Sequence, residues 1–311
     1  MILDCHVHVW RYPDHIINKE VFLRSHPARR RNWSEEKWKE VWDNPVENYL
    51  KEAEGFVDKA ILMAFNGPNT MGTLVPNDYV RECAIRYPDK FEWACCVIPT
   101  EEGAIDEVER CVELGAIALG ELGQSYGGYY ANDKRCYPLW EKCQELGVPV
   151  IIHPGFAQPT PARIKYADFS AIDDIAIDFP DLKLVLCHMG YPQYEICSFL
   201  VQKHTNVYTD VAWFASLAGL DRLALSKYHP QIDYAYYFHL VYPLIYHLSQ
   251  TFGDTDKILF GTDWNSSSPR TFVEILEHIN ELTKKLKLPK IPDETIHNLL
   301  HENWKKVFKL T

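Results

Sequence analysis

Eight short apolar runs, separated by stretches with helical periodicity, most limit how this 311-residue chain can fold. They lie at 2–10 (ILDCHVHVW), 58–65 (DKAILMAF), 91–99 (FEWACCVIP), 116–122 (AIALGEL), 148–155 (VPVIIHPG), 182–190 (LKLVLCHMG), 206–213 (NVYTDVAW) and 256–264 (DKILFGTDW). Most are continuously apolar, as strands covered on both faces must be. Between them, EEGAIDEVERCVELG, CYPLWEKCQELG, AIDDIAIDFP and the run from Ile232 to Phe252 read as helices. Gly115 and Gly147 are placed to end two of these with a left-handed C′ cap. A doubly wound open sheet would use similar pieces, but with fewer strands and a glycine-rich phosphate loop after the first, and no such loop occurs. The expectation is a single α/β domain over 1–311, a distorted (β/α)8 TIM barrel.

Two segments exceed a minimal barrel. Residues 11–50 follow strand 1, are rich in Arg, Trp and Pro, and are expected to fold as an insertion over the barrel mouth. Residues 214–250, between strands 7 and 8, are dense in Tyr, Phe and His. Each has two readings. One is packing or an oligomer contact, such as a homodimer interface. The other is a substrate lid, since long loops at the C-terminal ends of barrel strands build sites.

The net charge of −11 gives no general affinity for nucleic acid or anionic membranes, so neither is expected as a partner. Arg29, Arg30 and Arg31 form one local basic patch. No apolar run reaches the roughly 18 residues of a membrane helix. The N-terminus has no charged n-region ahead of an apolar h-region. The nine cysteines are odd in number, scattered and without a C-x-x-C spacing, which fits free thiols in a reducing cytoplasm.

Polar residues at the strand ends carry the chemistry. His6 and His8 are two apart on strand 1, so a period of two points both rings to one side. Glu121 ends strand 4, His153 strand 5, His188 strand 6 and Asp263 strand 8. In a barrel all these ends converge on one mouth. Imidazoles with a carboxylate suit a divalent metal: zinc first, with manganese, iron or cobalt as alternatives. Such an ion lowers the pKa of water to roughly 7. Glu121 has a second reading as a salt-bridge partner or support for a histidine. Asp4 is expected to face away from the pair, as a support or turn former. His297 and His301, four apart, lack the glutamate of a zinc-protease motif, and of His229, His239 and His247 at most one is expected to touch substrate.

The ordered set DCHVHVW, YPLWEKCQELGVPVIIHPG, FPDLKLVLCHMGYP, KILFGTDWNSSSP and LLHENWKKVFKL resembles the amidohydrolase superfamily. It resembles in particular the amidohydrolase-2 group, which includes aminocarboxymuconate-semialdehyde decarboxylase and related lactonases. The resemblance implies a metal held by His6, His8, His153 and Asp263, with His188 as a catalytic residue beside it. It also makes Glu121 an extra ligand near the position that bridges two ions in binuclear members, so one or two ions are expected.

The expected activity is hydrolysis of a small cyclic or aromatic substrate, a lactone or amide, with Asp263 and His188 catalytic. The alternative is a metal-dependent non-oxidative decarboxylase, a lyase, acting on an aromatic or unsaturated carboxylate. Arg11, Arg163 and Arg270 are candidates to hold a substrate carboxylate.

Overall fold

The computed structural model describes residues 1–25, 33–157, 159–217 and 237–310. Eight parallel strands form one sheet in chain order. They are β1 (Leu3–His8), β2 (Lys59–Met63), β3 (Phe91–Cys95), β4 (Ala118–Gly123), β5 (Val150–His153), β6 (Leu184–Leu186), β7 (Val207–Asp210) and β8 (Ile258–Leu259). A short antiparallel hairpin, Phe65–Gly67 with Thr73–Val75, follows β2.

The barrel closes through the chain just after β8. The Cys5 amide donates to Phe260 O (3.0 Å), the Asp263 amide to His6 O (2.9 Å) and the His8 amide to Trp264 O (2.7 Å). The run read as a strand over 256–264 therefore pairs as a ladder for only two residues, then switches to these single bonds with β1. Gly261 permits the approach, because a Cβ there would lie 2.8 Å from His6 Cβ.

The apolar runs are continuous because both strand faces are covered. Val150, Ile152, Leu184 and Leu186 pack outward in the main core, while Ile151, Val185 and Leu259 fill the barrel interior. Trp304, Val307 and Phe308 join that interior cluster, and the Trp304 indole donates to Met1 O (3.4 Å), so the C-terminal segment plugs the end where β1 begins.

Strand β1 departs from strict alternation. Its pairing with β2 shifts register between Asp4 and Val7. Leu3 and Cys5 lie in the interior cluster, but Val7 and Val9 lie in the outer one. The shift lets His6 and His8 face the interior while Asp4 turns outward to Tyr49, whose hydroxyl donates to Asp4 Oδ2 at 2.9 Å. A regular strand would put all three on one face.

The helical stretches appear as Ala104–Glu113, Tyr137–Leu146, Phe169–Asp178 and Tyr242–Gln250. Gly115 and Gly147 take φ of 98° and 66° after the first two, as left-handed caps require. The insertion forms helices Lys19–Ser25 and Glu35–Trp42 around a cluster of Tyr12, Phe22, Trp38 and Trp42. The barrel's first outer helix, Val46–Ala53, begins inside the stretch read as insertion, because Val46, Tyr49 and Ala53 share one helical face and bury it in the main core. His229, the Arg29–Arg31 patch and residues 218–236 of the segment read as a lid or oligomer contact lie outside the described residues.

His247, on Tyr242–Gln250, is buried against Ser198, and burial pushes its pKa down to about 4, with Lys257 adding to the effect. The folded state then binds fewer protons than the unfolded chain between the ordinary value of 6.5 and about 4, so stability falls as pH drops through that window. Wild type should lose about 3 kcal/mol more than His247→Gln across it, read by urea unfolding at each pH.

Candidate metal centre

The C-terminal ends of the strands bring together side chains distant in sequence. His6 and His8 come from β1, Glu121 from β4, His153 from β5, His188 from the turn after β6, Asp210 from β7 and Asp263 from the turn after β8. All but Asp263 are buried to within a few per cent of full coverage.

One donor group is formed by His6, His8 and Asp263. His6 Nε2 lies 3.2 Å from His8 Nε2, and Asp263 Oδ1 lies 3.7 Å from the first and 3.5 Å from the second. Bonds of about 2.1 Å in a tetrahedral array set neighbouring donors about 3.4 Å apart, so the three positions fit one divalent ion. Glu121 Oε2 stands 3.4 Å from His8 Nε2 and 3.9 Å from His6 Nε2, where a fourth donor belongs. The buried His8 Nδ1 has no hydrogen-bond partner among the described residues.

Glu121 faces two ways. Its Oε1 lies 2.7 Å from His153 Nδ1 and 3.4 Å from His188 Nε2. His153 stands in neither donor group found among the described residues, being held by Glu121 instead. The second group joins His6, Glu121, Cys187 and His188, which brings in a thiol that the sequence reading did not single out.

Asp210 was also missed, because it sits inside the apolar run 206–213 and only the fold makes it the last residue of β7. Its Oδ2 lies 3.1 Å from His6 Nδ1, and its Oδ1 accepts from the amides of His188 (2.7 Å) and Ala212 (3.0 Å). His188 takes a left-handed backbone with φ 57°, and Asp263 does the same with φ 52°. Such φ values are uncommon outside glycine, and here they aim side chains from strand-end turns into the mouth.

The buried imidazoles and carboxylates shift one another's pKa values. Burial alone would lower the pKa of His6, but its bond to Asp210 and the nearby carboxylates raise it to about 10. Burial would likewise lower His188, yet Glu121 and Asp263 carry it upward. Burial would raise Glu121, but His153, His188 and His8 hold it well below the usual carboxylate range. Asp263 is raised by burial, only partly offset by the histidines. A divalent cation held by His6, His8 and Asp263 would compete with protons at these groups.

Aromatic rings surround the donors. Trp10 stacks on His8 at 5.7 Å and Trp42 stacks on Trp10 at 4.9 Å, so the insertion lays an aromatic ladder against the site. Phe65 meets His8 edge-on, Tyr126 packs on His153 at 5.2 Å and Trp213 on His188 at 5.8 Å. The candidate arginines are engaged elsewhere or open to solvent: Arg11 pairs with Asp43, Arg270 with Glu274 and the ring of Phe56, and Arg163 is exposed. His239 lies 3.4 Å from the Tyr194 hydroxyl, and His297 and His301 pack on each other.

A cluster of histidines and carboxylates at the C-terminal mouth of a closed barrel lies where barrel enzymes build their sites. The family described as Amidohydrolase matches residues 3–310, and the chain belongs to that family. Over 133 residues it is 29% identical to a 2-keto-4-carboxy-3-hexenedioate hydratase of Sphingobium sp., covering 37% of this chain and 39% of that one. Over 140 residues it is 28% identical to a gamma-resorcylate decarboxylase of Polaromonas sp., covering 37% and 43%. The matched segments thus span less than half the length of either relative. A solved dihydroxybenzoic acid decarboxylase from Polaromonas sp. JS666, with bound manganese and the inhibitor 2-nitroresorcinol, superposes with a TM-score of 0.63 at 16% identity over 98% of this chain and 96% of that one. At that identity the likeness establishes the fold.

Replacing both His6 and His8 with alanine should abolish metal binding, measured by elemental analysis, while the circular dichroism spectrum keeps its barrel signature. Full metal occupancy in the double variant would contradict the donor assignment.

Proposed function

We propose that this chain is a metal-dependent lyase that removes CO2 from a small planar carboxylate, aromatic or conjugated, without an oxidant. The observation that carries this reading is the aromatic wall around the donors: Trp10 on His8, Tyr126 on His153 and Trp213 on His188. Flat apolar rings favour a flat substrate and keep water away from it. The names of the two curated relatives, a hydratase of a carboxylated hexenedioate and a resorcylate decarboxylase, support a carboxylate substrate.

The residues that would hold the ion are His6, His8 and Asp263, with Glu121 as a fourth donor and His153 beside it on the other oxygen of Glu121. A divalent cation there would supply positive charge to bind the oxygens of the substrate. Zinc, manganese, iron and cobalt all suit the donors.

The chain's own residues then do the following. The aromatic wall holds the ring and desolvates the carboxylate, whose charge disperses as the C–C bond lengthens. His188, buried with Nε2 3.4 Å from Glu121 Oε1, delivers a proton to the carbon that carries the carboxylate. The C–C bond electrons return to the ring as CO2 departs, and the product bears hydrogen where the carboxylate stood.

Hydrolysis of a lactone or amide is the second reading. It is favoured by Asp263 beside His8 and His188 beside His6, where one could accept a proton and the other donate it.

The two separate cleanly. Metal-loaded protein is incubated with a panel of hydroxybenzoates and unsaturated dicarboxylates in D2O, and with lactones in H218O. CO2 release with one solvent deuteron on the product carbon is the expected result. Oxygen-18 incorporation from lactones without CO2 would establish the hydrolase instead. His188→Asn should cut turnover by at least about a hundredfold, the range of a lost general acid, with metal content unchanged.

A further inference from the structure

His6 can serve an ion between itself and His8 only through a lone pair on Nε2, which requires a proton on Nδ1. The group facing Nδ1 is Asp210 Oδ2 at 3.1 Å, and an ionised carboxylate only accepts. We propose that Asp210 is a positioning residue that locks His6 in the metal-binding tautomer and, with its other oxygen, fixes the backbone that carries His188. The inference rests on the reading of His6 as a metal ligand.

Both oxygens of Asp210 are in use. Oδ1 accepts from the His188 amide at 2.7 Å and from the Ala212 amide at 3.0 Å. The first bond anchors a residue whose φ of 57° is costly outside glycine. The second ties down Ala212, whose carbonyl lies 3.1 Å from His188 Nδ1. A carbonyl also only accepts, so it selects the Nδ1–H form in His188, leaving Nε2 at 3.4 Å from Glu121 Oε1. One strand end therefore sets the ring chemistry of two histidines carried on two other strands. Asp210 is fully buried, so water cannot stand in for it.

An amide cannot reproduce this. Asparagine offers one acceptor where the site uses two. If its oxygen meets the two backbone amides, its NH2 faces His6 Nδ1, the proton moves to Nε2 and the lone pair toward the ion is lost. If its oxygen meets His6, the NH2 is driven against two N–H donors and the His188 turn loosens.

The test compares wild type, Asp210→Asn and Thr209→Val. Thr209 neighbours Asp210 on β7 but bonds outward to Leu186 O at 2.6 Å, so its loss weakens the strand without touching the site. Zinc affinity of the folded proteins is measured by competition with a chelator. Asp210→Asn should bind about 10- to 100-fold more weakly, as for other supports of metal-binding histidines, while Thr209→Val stays within about twofold of wild type. A wild type that binds no zinc would remove the ligand reading itself. A wild type that binds, with Asp210→Asn equal to it, would overturn the role of Asp210 alone. If Asp210→Asn does not fold, wild type loaded with 113Cd and labelled with 15N-histidine decides. Coupling of cadmium to His6 Nε2 with a proton on Nδ1 is expected, and coupling through Nδ1 would overturn the assignment.

Discussion

The structure depends on the seam between β1 and the turn after β8, and a buried carboxylate ties that seam. Asp4 accepts from the Thr262 amide (2.9 Å) and hydroxyl (2.6 Å), from the Tyr49 hydroxyl (2.9 Å) and from the His6 amide (3.3 Å). Burial raises its pKa to about 6 even against these donors. The bonds join the first strand, the first outer helix and the last strand-end turn. They hold His6 and His8 on one side of the seam and Asp263 on the other, at the spacing one ion requires. Without closure here the donors would belong to opposite edges of an open sheet.

Charge balance explains why so polar a cluster is tolerated in a buried place. Glu121, Asp210 and Asp263 bring carboxylates into a region that excludes water, and an isolated buried charge there would be costly. Each is matched to imidazoles: Asp210 to His6, Glu121 to His153 and His188, Asp263 to His6 and His8. These pairs also fix how the ring nitrogens are oriented at the barrel mouth.

Much of this was legible beforehand. The eight runs set the strand count and order, and the rule that barrel strands end at one mouth brought His6, His8, Glu121, His153, His188 and Asp263 together before any coordinates. Glu121 was ambiguous between ligand and support for a good reason, since it contacts the His6–His8 pair with one oxygen and His153 with the other. Asp210 and Cys187 went unnoticed because Asp210 acts on His6 of β1 and the turn after β6, and Cys187 lies among His6 and Glu121, about which no local pattern speaks. The arginines illustrate the converse. Residue type made Arg11 and Arg270 attractive, but each found a carboxylate close by in the fold.

The sequence by itself determined the architecture and the chemical character of the mouth, because hydrophobic periodicity and residue type at strand ends are local properties that survive without a partner. Only the tertiary structure decided the parity of β1, where a register shift turns Asp4 outward and both histidines inward. It also decided that Nε2 of His6 faces His8, since Nδ1 is taken up by a carboxylate 204 residues away. Distances of a few tenths of an ångström between groups on different strands are set by closure of the whole barrel, and no single segment encodes them.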